Sequence, residues 1–458
     1  MLFNSLTFLF LHFLFLPLYW STKNQTVRLY VLLLSSVIFY GWYYWPGLFL
    51  LFAAMCINYL LSLLISKKQA KWTIALAVLL NLLNLGWFKY SIFIIANIES
   101  LINNMGFQLI IPKPDYWLPI GISFYTFQIM GYLIDVYRKE VPAEKSFLRF
   151  AVFKSFYAQL IAGPIVRSHE LFPQLRKTAV FNLTRFQKGF FLMTAGLAIK
   201  ICIADLLAQF VEYGFSNAGK IETLRAWLTL YSFSFQILSD FWGYSTVAVG
   251  IGLMYGISLP HNFNFPYTAQ SSQDFWRRWH ITLSEWFRDY LYIPLGGNKN
   301  RKYLNLILTM TIAGVWHGAG WNFLLWGFGH GIWLAIERVT QSHKIRNNSP
   351  LMRRIRIIVV FNIVSLLWIF FRAPDLNTAA LFFKNLFAPP YVFNAPHIES
   401  LLLTLIIFIL FNKKLGNLFY ADHFSRLSLK RQLFVTIFLI LFIMGYADAR
   451  LDFIYFVF

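Results

Sequence analysis

Residues 47–66 read GLFLLFAAMCINYLLSLLIS, an unbroken run without a charged side chain. An α-helix rises about 1.5 Å per residue, so about 20 residues cross the roughly 30 Å hydrocarbon core of a bilayer. The run is too long for a core strand and has no polar face to turn toward water. It reads as a transmembrane helix.

Working outward, residues 2–20, 27–45 and 72–88 repeat the pattern. Weaker apolar stretches follow at 90–98 and 117–136, then at 150–164, 186–211, 224–238 and 244–259. The last group is 303–316, 321–336, 355–371, 401–411 and 433–446. Several are short or carry Gly, Pro or charge and so suit re-entrant or interfacial helices, whose backbone protein or water must satisfy. The expectation is an all-α polytopic membrane protein with about 11–13 transmembrane helices plus such elements, taking about 20 residues per span. Composition agrees: 58% of residues are hydrophobic and 13% charged, against about 45–50% and about 25% in soluble domains. The excess runs the whole length, which excludes a soluble domain on one anchor. No repeat or linker interrupts it, so residues 1–458 are expected to form one membrane domain.

The formal net charge is +21. The basic residues lie between apolar runs rather than on one soluble face. They read as cytoplasmic loops, and nucleic acid is set aside as a partner. The basic stretches are 167–188, 277–302, 338–356 and 413–431. Lys67, Lys68 and Lys71 form a denser cluster than Lys23 and Arg28, the second of which can snorkel from a helix end. Placing that cluster inside puts the N-terminus outside. The first apolar run lacks a basic n-region and reads as a retained span rather than a signal peptide. Cys56 and Cys202 each lie in apolar sequence and suggest neither a disulfide nor a metal site.

Residues 274–298, DFWRRWHITLSEWFRDYLYIPLGGN, break the apolar pattern. Asp274 precedes Arg277 and Arg278 at helical spacing, and Glu285 precedes Arg288 and Asp289. This predicts a helix, ended by Pro294 and the Gly296-Gly297 pair. Such a helix either lies on the cytoplasmic surface or dips into the protein and pairs its charges there.

Ionisable residues at membrane depth are expensive, so each is a candidate site. His317 lies in TIAGVWHGAGWNF, His280 in FWRRWHITLSEW and His330 in LLWGFGHGIW. Acyl transfer to an alcohol needs a base for the hydroxyl proton, and an imidazole suits that at neutral pH. It also needs a donor or cation at the carbonyl oxygen, for which His280 or Arg278 could serve. Arg277 and Arg278 could hold a phosphorylated donor. Each histidine also has a structural reading, and Gly314, Gly318, Ala319 and Gly320, like Gly327 and Gly331, suit close helix packing. At about 100° per residue, His317 and His330 would fall on different faces of one helix. Asp240 and Tyr244, in QILSDFWGYS, read as a turn, as an internal pair with a basic residue, or as a site wall at a broken helix. Arg167 reads as a positive-inside anchor, and Asp135 with Arg138 as a helix end. No metal motif, Walker loop or GxSxG is present. On these features alone, a transporter or channel without chemistry stands first.

The chain resembles the membrane-bound O-acyltransferase (MBOAT) family, in its bacterial AlgI-like and DltB-like branch. The resemblance rests on SDFWGYS (239–245), GIGLMYGISLPHNFNFPY (250–267), the 274–298 segment, AGVWHGAGWNFLLWGFGHG (313–331) and LLWIFFRAP (366–374). Upstream, LPIGISFYTFQIMGYLIDVYR (118–138) and QLIAGPIVR (159–167) fit as well, and FIYFVF (453–458) resembles the alginate-type tail. The motifs concentrate in residues 118–372. Trp242 stands where a small residue is expected, and Phe265 where a polar or basic one is more usual.

The resemblance implies a funnel or tunnel through the bilayer, with His317 as the catalytic histidine and His280 as a second functional one. Arg277, Arg278, Trp316, Asp240, Tyr244 and His330 are the candidate donor-binding or pocket residues. The implied reaction moves an acyl group, acetyl, from a cytoplasmic thioester such as acetyl-CoA to an extracytoplasmic hydroxyl. No cofactor stays bound. The acceptor is a polysaccharide or a partner protein that completes the transfer, with an SGNH/AlgJ-like periplasmic acyltransferase as the expected partner. The setting is the bacterial cytoplasmic membrane and its lipids. The alternative within the family is D-alanyl transfer from a carrier protein.

Overall fold

The computed structural model describes residues 1–42, 44–341, 349–388 and 428–445. Every regular element among them is helical. The described residues form two compact units. The expected span at 401–411 and the tail at 453–458 lie outside the described residues.

The first unit comprises Met1, Ser5–Val180 and Gly318–Gly320. Its helices are α1 (Leu6–Trp20), α2 (Gln25–Gly41), α3 (Pro46–Lys68), α4 (Lys71–Asn104), α5 (Ile122–Tyr137), α6 (Phe147–Ser155), α7 (Tyr157–Leu160) and α8 (Ser168–Arg176). α3 begins with Pro46, whose ring pre-sets the helical φ, and ends at Gln69 in the left-handed region with Lys67 and Lys68 in its last turn. Both features are favourable helix termini. α4 joins the expected stretches 72–88 and 90–98 into one helix. Asn58 and Asn81 exchange side-chain hydrogen bonds of 2.6 and 3.3 Å between α3 and α4, a polar tie of the kind that holds helices together in lipid. Arg28 does not snorkel. It is buried and donates to the Thr22 and Ala179 carbonyls at 2.8 and 2.5 Å. Its guanidinium also lies over the Tyr19 and Trp20 rings.

The second unit comprises Leu2–Asn4, Phe181–His317 and the described residues from Trp321 on. Its helices are α9 (Leu183–Ile199), α10 (Asp205–Ser216), α11 (Thr223–Met254), α12 (Ser272–Trp276), α13 (Ile281–Phe287), α14 (Lys302–His317), α15 (Trp321–Val339), α16 (Pro350–Arg372), α17 (Leu376–Phe387) and α18 (Leu429–Gly445). A π turn, Lys200–Ala204, joins α9 to α10. α11 is buried along most of its length and forms the core. Of the readings offered for Asp240, the turn and the helix break are overturned, because α11 continues through it, and the internal pair with a basic residue is the one the structure shows. Lys200 explains why, because its ammonium lies 2.5 Å from Asp205 and 2.8 Å from Asp240. A buried carboxylate so paired no longer needs water or a chain break. Glycines let the two helices approach, and a Cβ on Gly196 would sit 2.6 Å from the Gly243 carbonyl oxygen.

Residues 274–298 do not form one helix. α12 is followed by a turn, α13 by a π turn at Arg288–Tyr292, and the segment ends at Gly296 and Gly297, both at positive φ. The Glu337 carboxylate of α15 accepts from the Ser272 backbone N–H at 2.8 Å, anchoring the start of α12. Trp279 and His280 are buried, so the segment dips into the protein rather than lying on its surface.

Five described helical stretches are long and apolar enough to cross a membrane: Pro46–Lys68, Lys71–Asn104, Leu183–Ser216, Thr223–Met254 and Pro350–Arg372. Leu6–Trp20 and Gln25–Gly41 are apolar but shorter. The chain is a multi-pass membrane protein.

Candidate active site

α14 and α15 lie side by side because of glycine. A Cβ on Gly314 would collide with the Phe323 carbonyl oxygen, and one on Gly327 with that of Met310. This approach carries His317, the last residue of α14, against α15. Its ring centroid is 5.1 Å from that of Trp326 and 5.1 Å from that of Phe371, with Trp316 4.8 Å away. The side chain is 5% exposed, and that remnant opens on a cavity.

The cavity measures about 360 Å³ and belongs wholly to the second unit. His317, Ala313 and Met310 line it from α14, and Trp276, Arg277 and Ser284 from the 272–298 segment. Three guanidiniums stand on its wall, those of Arg277, Arg288 and Arg338, with one carboxylate, Glu285. Arg288 is partly satisfied by Asp289 at 2.7 Å and Arg338 by Asn298. Arg277 makes no ion pair among the described residues. The arrangement is an apolar pocket with a cationic wall and an imidazole, suited to a ligand that is anionic at one end and reactive at the other.

His280 caps α13 at φ 41°, a left-handed conformation that non-glycine residues seldom adopt. Its ring meets Phe241 at 4.6 Å and Trp316 at 6.4 Å. Trp316 therefore neighbours both the His280 and His317 rings. His280 is not on the cavity wall, although its neighbour Ile281 is. Burial pushes its imidazole down to about 3. It is neutral at physiological pH and can act there as hydrogen-bond donor and acceptor, not as a cation.

The other candidates divide. Arg277 shares the cavity with His317. His330 is fully buried on α15, 5.0 Å from Trp326 and 5.0 Å from Trp276. Arg278 is held by Asp274 at 2.7 Å and is not on the cavity wall. Asp240 is tied to Lys200 as above. Tyr244 stacks on Phe3 at 4.3 Å and lines a separate small cavity beside Lys200. The two departures from the family pattern face each other, since Trp242 meets Phe265 edge to face at 5.6 Å. Arg288 belonged to the charged segment and could have been singled out with Arg277. Arg338 and Trp326 carry no local signal, because only the α14–α15 approach brings them in.

A family model described as MBOAT, membrane-bound O-acyltransferase family, matches residues 136–374. The chain is 39% identical over 398 residues to the probable alginate O-acetylase AlgI of Azotobacter vinelandii, covering 85% of this chain and 78% of that one. It is 39% identical over 399 residues to the peptidoglycan O-acetyltransferase of Helicobacter pylori, covering 80% and 74%. A teichoic acid D-alanyltransferase of Streptococcus thermophilus matches at 28% over 342 residues, covering 67% and 77%.

Proposed function

This chain belongs to the membrane-bound O-acyltransferase family and is an O-acyltransferase, and on that premise we propose that the group it moves is acetyl, taken from cytoplasmic acetyl-CoA and delivered to a hydroxyl of an extracytoplasmic polysaccharide. The observation that carries the reading is the placing of His317 on the same cavity as Arg277, Arg288 and Arg338. Guanidinium binds phosphate through paired N–H donors, so the cationic wall suits the phosphates of a CoA thioester, and the apolar remainder suits its arm. The acceptor oxygen attacks the thioester carbonyl carbon while His317 takes the hydroxyl proton. The tetrahedral intermediate then expels the thiolate, which recovers the proton from His317. His280, neutral and against Trp316, is the second functional histidine of this reading and orients that indole.

The relatives named as O-acetyl enzymes match at 39% over 80–85% of the chain, against 28% over 67% for the D-alanyl enzyme. This ordering favours acetyl over D-alanyl. Alginate and peptidoglycan relatives match equally, which supports a polysaccharide acceptor as a class. A periplasmic SGNH-like partner that finishes the transfer belongs to the same proposal. So do a bacterial inner-membrane location with the N-terminus outside, and one membrane domain over residues 1–458. The test is incorporation of labelled acetyl from acetyl-CoA in membranes. His317→Ala abolishes it at normal protein level, and a fully active variant would defeat the assignment.

A further inference from the structure

Trp326 and His330 are buried, Trp276 is half-buried, and the proton steps above use none of the three. The two indole rings lie 5.8 Å apart, each 5.0 Å from the His330 ring. Neither indole Nε1 has a hydrogen-bond partner among the described residues, and both atoms are shielded from solvent. Buried N–H donors are almost always paired, and leaving one unpaired is costly. Phenylalanine would fill this aromatic layer without that penalty, so two such N–H groups call for an acceptor.

Their position suggests which acceptor. The Trp326 ring meets that of His317 at 5.1 Å and 89°. Trp276 lines the same cavity as His317, and Trp326, off the cavity wall itself, touches both of those rings. Trp326 is also held in place, stacked on Trp368 at 5.5 Å and 18° and abutted by Phe371 at 5.1 Å. Fixed donors in a dry site are the arrangement that stabilises charge developing on a carbonyl oxygen.

We propose that the Nε1–H groups of Trp276 and Trp326 form the oxyanion site of the acyl transfer, with His330 wedged between them as a positioning residue. As the acceptor oxygen bonds to the thioester carbon and its proton passes to His317, the carbonyl π pair moves onto oxygen, and the indole N–H groups donate to it. Collapse restores the C=O bond and breaks the C–S bond, and the thiolate takes the proton back. The inference rests on the reading of His317 as the base.

The test replaces each indole by benzothienylalanine, which keeps the ring's shape and puts sulfur where the N–H was. Thiol release from acetyl-CoA is followed on the full-length protein in micelles. Loss of kcat by about tenfold or more, with KM within about twofold and unchanged thermal unfolding, is expected at each position. Loss at one position only assigns the oxyanion to that indole. Wild-type kcat in both isosteres overturns the proposal while leaving His317 untouched. If His317→Ala releases thiol at the wild-type rate, the reading beneath it falls instead. Should the Trp326 isostere fail to fold, the Trp276 isostere decides.

Discussion

The Lys200 ammonium lies 2.8 Å from the Asp240 carboxylate across the α9–α11 packing, inside the second unit. The same ammonium reaches Asp205 at 2.5 Å, so one cation serves two buried carboxylates. Removing the cation leaves both acids without it, whereas removing one acid leaves a pair. Lys200→Met is therefore expected to destabilise by about 3–5 kcal/mol, the range for a broken buried pair. Asp240→Asn should cost clearly less. Thermal unfolding of detergent-solubilised protein reads both, and equal losses would contradict the shared-cation account.

Gly314 and Gly327 set the distance between α14 and α15. A methyl group at either position meets backbone oxygen, which cannot rotate away. Gly314→Ala is expected to lose about 1–3 kcal/mol of stability through overpacking, and activity with it, because His317 ends that helix. Gly86 on α4 is the control, having nothing within 4 Å of an added Cβ. Gly86→Ala should leave stability unchanged or raise it by up to about 1 kcal/mol through helix propensity.

Much of this fold could be read from the sequence, because the length of an apolar run is a local property and the bilayer sets the required length. What could not be read depends on partners distant in sequence. Sequence leaves Asp240 open between a break and an internal ion pair, because its neighbours do not reveal which basic residue, Lys200, would pair with it. Residues 274–298 looked like one helix because the acid–base spacing suits one, and the Asp274–Arg278 pair does form. Burying His280 at a left-handed turn overrode that local preference. The sequence singles out His317 and Arg277, and they share one cavity. It does not single out Arg338, since a basic residue late in a helix reads equally well as a loop anchor.

Glu144, in the loop before α6, offers a pH test outside the spans. Burial alone would raise its carboxyl, but hydrogen bonds from Arg149 and the Ser146 N–H, with Arg176, outweigh that and hold it below its usual range. A group with a depressed folded value stabilises the protein above its unfolded value, about 4.3, and loses that contribution as pH falls through the folded one. Unfolding temperature should therefore fall on acidification below about pH 4.3, and Glu144→Gln should flatten that fall. An unchanged slope in the variant would remove Glu144 from the account.

The cationic wall makes a prediction that separates binding from chemistry. Arg277, Arg288 and Arg338 line the cavity, whereas Arg278, one residue from Arg277, is engaged by Asp274 and does not. If the three hold donor phosphates equally in the ground and transition states, neutralising one removes uniform binding. KM for acetyl-CoA then rises while kcat holds. A charge-assisted hydrogen bond contributes about 1.5–3 kcal/mol, so Arg277→Gln, Arg288→Gln and Arg338→Gln should each raise KM by roughly tenfold or more. Arg278→Gln should leave KM near the wild-type value. Steady-state kinetics with acetyl-CoA and with a truncated thioester lacking phosphates check this. The truncated donor should be insensitive to all four changes, because it has no anion for the wall to hold. A loss of kcat with both donors would mean that the guanidiniums act on the reacting carbonyl or hold the fold, and the cavity would then not be a phosphate site.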